Sequence, residues 1–141
     1  MQIYNNLGRY QLVPLCFAQD TVAANQSGVA LRTTEADASV ALNEYYTMPW
    51  SGEIIAVTSN LDAAATVGTL TIRPTRAGVE VSAPQIAQTT LAHGASTCRR
   101  STAPFAANAQ IGCKITTTAD WNGTTRDLQV IVWVLLRIIG I

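Results

Sequence analysis

The sequence predicts an all-β domain, a jelly-roll sandwich of two sheets with about eight antiparallel strands. Three observations carry the prediction. No segment sustains a helical period, and turn residues recur roughly every 8 to 15 positions, as they do between the short strands of a sandwich or barrel. A chain of 141 residues with 48% apolar content can enclose one real core and is too short for two ordinary domains.

Taken in order, residues 1–11 read as an extended N-terminal arm that includes Tyr4, Arg9 and Tyr10, with the jelly-roll domain over 12–141. Residues 12–17 form a first strand around Pro14, whose missing N–H places it at a sheet edge or a bulge. Residues 28–34 and 39–46 are the next two strand candidates, and the linker Thr34-Glu-Ala-Asp-Ala is compatible with a helical turn instead. A turn over 49–52 leads into a strand over 53–59 that is apolar on both faces. After a loop of small residues at 63–68, the stretch Thr69-Leu-Thr-Ile-Arg-Pro-Thr points Leu70 and Ile72 inward and Thr69, Thr71 and Arg73 outward, so one face meets water. Arg76-Ala-Gly78 turns the chain into 79–81, and two short strands are expected at 85–90 and 97–101. Pro104-Phe-Ala-Ala-Asn108 is a turn capped by a packed aromatic. Residues 110–117 then alternate Ile111, Cys113 and Ile115 against Gly112, Lys114 and Thr116. The loop 118–126 contains Asn122-Gly123, a tight-turn dipeptide.

The closing segment, LQVIVWVLLRIIGI over 128–141, is the exception to half-buried alternation. Leu128, Val130, Val132, Val134, Leu136 and Ile138 make one face, and Gln129, Ile131, Trp133, Leu135, Arg137 and Ile139 the other. A strand of a small antiparallel protein has one wet face, so a second apolar face calls for a partner. Ile131, Trp133, Leu135 and Ile139 are therefore the candidate self-association residues. The stretch is shorter than the roughly 20 residues of a spanning helix, and Gln129 and Arg137 interrupt it.

Composition removes several function classes. Nine basic and nine acidic residues give a formal charge of zero, so no global field draws in nucleic acid or an anionic membrane. Charged residues make up 13% of the chain, about half the usual quarter, and weak mutual repulsion favours association. The N-terminus shows no basic start followed by an apolar run, which reads as cytosolic synthesis. The three cysteines, Cys16, Cys98 and Cys113, lack any CxxC spacing and read as buried or inert thiols. Cys98 stands apart because Arg99 and Arg100 beside it would favour thiolate. One histidine, His93, rules out multi-histidine metal centres and reads as a solvated loop residue. The acidic residues are scattered, with no calcium-loop spacing and no glycine-rich phosphate cradle. Asn25-Gln-Ser27 and Asn122-Gly-Thr124 match a glycosylation acceptor pattern but read as turns. Trp133 lies mid-strand, and Trp50 and Trp121 read as core or interface packing ahead of ligand contact. No enzyme activity, metal or cofactor is expected.

Three stretches resemble the small jelly-roll modules of tailed-bacteriophage particles, found in capsid decoration (cement) proteins and head or tail fibres. They are MPWSGEIIAVTSNLD (48–62), GTLTIRPTRAG (68–78) and PFAANAQIGCKITTT (104–118). Those modules pair a Pro-aromatic-Gly lead-in with a strand ending in Asn, a small-residue loop, a Thr-rich strand, a turn with Gly, and a Phe-x-x-Gly-like approach to an Ile-Gly strand. Asn108 stands here where that approach more often has Gly. The resemblance spans residues 48–138 as a diffuse pattern and does not extend to the first 45.

The resemblance implies a structural virion protein: a homotrimeric decoration protein on the outer capsid surface, bound to the major capsid protein. Tyr4, Arg9, Tyr10, Arg99 and Arg100 are then the candidate capsid contacts, joined by Arg73 and Arg76, although a solvated loop is an equal reading for the Arg99-Arg100 pair. The alternative is a fibre or receptor-binding module on the same fold that recognises host glycan through exposed loops. A carbohydrate-active or thiol enzyme is a third class without a supporting motif.

Overall fold

A computed structural model describes residues 9–33, 44–124 and 126–138. Among them there is no helix, and eleven strands form two antiparallel sheets. In chain order these are β1 (Tyr10–Gln19), β2 (Val29–Ala30), β3 (Tyr45–Thr47), β4 (Gly52–Leu61), β5 (Leu70–Arg76), β6 (Val79–Glu80), β7 (Ile86–Gln88), β8 (His93–Thr97), β9 (Pro104–Phe105), β10 (Gln110–Thr117) and β11 (Leu128–Arg137). Sheet A runs β1-β11-β4-β8, with β9 also on β4. Sheet B runs β2-β10-β5-β6, with β3 on β10 and β7 on β5. The two sheets make a β-sandwich.

The alternation expected along the long strands is present and builds the core. Leu128, Val130, Val132, Val134 and Leu136 of β11 are buried, opposite Leu70, Ile72, Ile111, Cys113 and Ile115 from sheet B. Leu15 and Phe17 of β1 and Ile54 and Val57 of β4 complete the sheet A side. The ring of Phe17 meets Tyr46 edge-on, with centroids 5.5 Å apart. β11 pairs over its whole length with β1 and, across an irregularity after Trp133, with β4. It is thus an interior strand of its sheet, with no open edge of its own.

Turn chemistry behaves as its residues require. Ala77 and Gly78, at φ 52° and 77°, form the two-residue turn between β5 and β6. Asn108 takes a left-handed φ of 67°, a backbone region that Asn tolerates better than most residues. Asn25 does so too, at 60°.

Several expectations need correcting. The first strand starts earlier than residue 12: Tyr10 already pairs with Arg137 and Gln11 with Leu136, so these two belong to the sandwich and not to an arm. Tyr4 lies outside the described residues, as does Ile139. The second candidate strand contracts to Val29–Ala30 plus a single bridge between Arg32 and Ala18. The candidate over 39–46 is described only from residue 44, with strand at Tyr45–Thr47, and the 34–38 linker lies outside the described residues. The strand expected at 97–101 instead occupies His93–Thr97. Gly94 suits that position, because a Cβ there would come within 2.8 Å of Ile86 Cγ2. His93 is accordingly an exposed strand residue paired with Asn60 and not a loop residue. Asn122 acts through its side chain instead of through a tight turn: its Oδ1 accepts hydrogen bonds from the N–H groups of Thr66 (3.0 Å) and Val67 (3.2 Å).

Candidate functional site: the outer face of sheet A

Because side chains alternate along a strand, residues directly opposite in register share a face. From Trp133 this rule assembles the outer face of sheet A. Across β1 lie Leu12 opposite Leu135, Pro14 opposite Trp133 and Cys16 opposite Ile131. Across β4, Trp133 faces Ala56 and Ile131 faces Thr58, and β8 continues the rows with Thr97 and Ala95. The result is a sheet surface three to four strands wide whose Trp133 and Ile131 rows are uncharged, while the Leu135 row continues on β4 with Glu53, which is buried and paired with Arg100. Leu12 is 52% exposed, while Ile131, Trp133 and Leu135 are half-buried by their neighbours. The Trp133 Nε1–H reaches Thr58 Oγ1 at 3.3 Å, which lays the ring along the sheet.

The outer face of sheet B has the opposite character. Arg73 forms an ion pair with Glu80 at 3.0 Å and donates to Gln85 Oε1 at 2.7 Å. Lys114 donates to the Gly78 carbonyl at 2.7 Å, and Thr71 and Thr116 share that face. One sheet is finished for water; the other, among the described residues, is not.

Three of the candidate self-association residues, Ile131, Trp133 and Leu135, therefore come together, and β1 adds Leu12, Pro14 and Cys16. The signal for these additions lies in the sequence: residues 12–17 are apolar at both odd and even positions, the same double-faced signature as 128–138.

The candidate capsid contacts fare differently. Arg9 is exposed next to β1, and Arg99 is exposed between β8 and β9. Arg100 pairs with the buried carboxylate of Glu53, which also accepts the Ser101 N–H at 2.8 Å. The Arg100 guanidinium lies 5.1 Å over the Tyr10 ring. Arg76 is hydrogen-bonded to the Pro104 carbonyl. Arg73, Arg76 and Arg100 thus have structural work within the chain, and Tyr10 is half-covered by Arg100.

The three thiols differ in their surroundings. Cys113 is buried, and burial pushes its thiol far up. Cys16 is exposed on the outer face of sheet A. Cys98 is not activated by its arginine neighbours: burial raises its thiol, only partly offset by a hydrogen bond with Thr102, and its Sγ–H donates to the Ile54 carbonyl at 3.3 Å. Trp121 belongs to the core, with Nε1–H donating to the Val22 carbonyl at 3.1 Å, and Trp50 packs against the core's edge. Among the described residues no cluster of three or more His, Cys, Asp or Glu side chains is placed to hold a metal ion.

No protein-family model matches the chain, and no curated protein matches it.

Proposed function

We propose that this chain is a structural, non-catalytic assembly protein that self-associates through the outer face of sheet A and serves as a decoration protein on the outer surface of a phage-type capsid. The single observation that carries the self-association is the contrast between the centres of the sandwich's two outer faces, one apolar and partly exposed, the other laced with ion pairs and hydrogen bonds.

Size supports the same reading. Ten residues of β11 at about 3.4 Å each, across four strands about 4.8 Å apart, give a face of roughly 600 Å². Two such faces bury about 1,200 Å², within the range of stable interfaces. The capsid setting, the homotrimeric state and the major capsid protein as partner come from the resemblance. The strand order supports its jelly-roll element: β1 pairs with β11 and β2 with β10, the nested order that two Greek keys produce. The glycan-binding alternative loses a ligand candidate with Trp121 in the core.

The test is the oligomeric state by light scattering, followed by co-sedimentation with phage capsids. The wild-type chain is expected to be a stable oligomer and Trp133→Glu a folded monomer. A wild-type chain that stays monomeric at every attainable concentration, or a Trp133→Glu variant as oligomeric as wild type, overturns the proposal.

A further inference from the structure

Formal neutrality conceals a separation of charge along the strands. β1 and β4 run from one end of the sandwich to the other and β11 runs back. Arg9 precedes β1, Arg137 ends β11, Arg99 and Arg100 join β8 to β9, and Arg76 ends β5; all five are exposed at one end. Among the described residues the carboxylates near that end include Glu53, buried and paired with Arg100, and Glu80 of β6, paired with Arg73. At the opposite end Asp20 follows β1, Asp62 follows β4, Asp127 precedes β11 and Asp120 lies in the same loop, all exposed, against Arg126 and the half-buried Arg32, bridged to Ala18, as the arginines nearby among the described residues.

The aspartates' hydrogen bonds are to neutral donors and leave the charge in place. Asp62 accepts the Asp127 N–H (3.1 Å), Asp127 the Thr21 N–H (2.9 Å) and Asp120 the Thr118 hydroxyl (2.6 Å). The ends are separated by the length of a ten-residue strand, about 34 Å. That is several times the screening length of about 8 Å at physiological salt, so each end presents its own sign to whatever touches it.

Resting on the reading that the outer face of sheet A self-associates, we propose that neighbouring copies of this chain meet there with strand directions opposed, each basic end against the other's acidic end. Trp133 lies near mid-length of β11, so reversing one copy about the middle of the face puts apolar centre on apolar centre and brings both rims into complementary register. Parallel strands would instead set arginines against arginines and aspartates against aspartates. A pair built with opposed strands is closed and isologous.

The experiment is sedimentation velocity at about 10 mM and about 1 M NaCl, between which the screening length falls from about 30 Å to about 3 Å. The chains are wild type, Arg99→Glu/Arg137→Glu, Asp20→Lys/Asp120→Lys and Trp133→Glu. Both charge variants leave the core and the Glu53–Arg100 pair intact. Wild-type association is expected to weaken at least about ten-fold at high salt, as attraction between exposed charges is screened. Each reversal alone should weaken low-salt association, and mixing the two variants should restore it. Wild-type association that is unchanged or strengthened by salt, or reversal variants that associate like wild type, overturns the opposed arrangement while Trp133→Glu still reports on the face. The salt series needs no variant and decides the matter even where a double variant fails to fold. Wild type monomeric at both salts overturns the face and the orientation together.

Discussion

Val132 and Trp133 are adjacent in the chain, and substitutions there should differ in their effect on association. Val132 is fully buried between the sheets. Val132→Ala removes two methyl equivalents and leaves a void, costing about 2–3 kcal/mol of a stability that for such domains totals about 5–15 kcal/mol. Trp133→Ser should also cost the isolated chain about 2–4 kcal/mol, since most of the indole is already covered by its own sheet. It has a second effect, on association. Roughly 100 Å² of a half-covered indole remains to be buried by a neighbour, worth about 2.5 kcal/mol per copy at 25 cal/mol per Å². A pair of variant chains loses it at both copies, about 5 kcal/mol, and associates several thousand-fold more weakly. Urea unfolding at low protein concentration measures the first quantity and sedimentation measures the second. Val132→Ala should lower the urea midpoint and leave the dissociation constant of the folded chain within a few-fold of wild type, and Trp133→Ser should lower the midpoint and also weaken association. If Trp133→Ser destabilises the monomer as much as Val132→Ala and leaves association unchanged, the outer face of sheet A is not an interface.

Gly68 sits at φ +87°, and a Cβ there would lie 2.5 Å from the Trp121 Cα, a backbone atom that cannot yield; Gly68→Ala should cost about 2–4 kcal/mol, read as a fall in the urea midpoint. A thiol reagent should modify Cys16 rapidly in the folded chain, Cys98 slowly and Cys113 only on unfolding, by mass spectrometry. Because burial raises the folded-state pKa of Cys113, its proton stays on in the native state while an unfolded thiol loses it. The unfolded chain then binds fewer protons, and stability falls as pH rises above about 9 by about 1.4 kcal/mol per unit. A urea series from neutral to alkaline pH should show that slope in wild type and a shallower one in Cys113→Ala.

The strands legible in the sequence were those whose side chains alternate by chemistry. β10 has the bounds that Ile111, Cys113 and Ile115 imply, and β11 buries its even-numbered face. β8 was misplaced because His93, Gly94, Ala95, Ser96 and Thr97 carry no apolar period; that strand is held by its register on β4, a relation between segments some forty residues apart. The β1 half of the apolar face was overlooked for a related reason. Leu12, Pro14 and Cys16 become one surface with Ile131, Trp133 and Leu135 only when antiparallel pairing lays them side by side. Charge was legible as a sum and illegible as a pattern, because Arg137 and Arg99 share an end only after the chain has crossed the sandwich several times. Cys98 shows the converse limit: sequence neighbours suggested an activated thiol, but folding turned its Sγ–H toward the Ile54 carbonyl.

How the chain treats its sheet edge bears on how it treats its sheet face. β1 is the outermost strand of sheet A on its side, and a long outermost strand invites pairing with another molecule. Ala18 exchanges both backbone hydrogen bonds with Arg32, at 2.8 and 3.0 Å, so its N–H and C=O point away from β11. Pro14 and Cys16 have the same parity. At Pro14 the outward N–H is missing altogether, and at Cys16 the outward carbonyl is capped by the Tyr46 hydroxyl at 3.1 Å. Strand addition along this edge therefore finds one donor deleted, one acceptor occupied and one residue already paired. Over the same ten residues the side chains turned to the outer face, Leu12, Pro14 and Cys16, carry no charge that would repel a neighbour. Selection against uncontrolled association would be expected to act on both surfaces. An edge obstructed at Pro14, Cys16 and Ala18 beside a face left apolar fits the proposed association by packing sheet on sheet better than growth by strand addition.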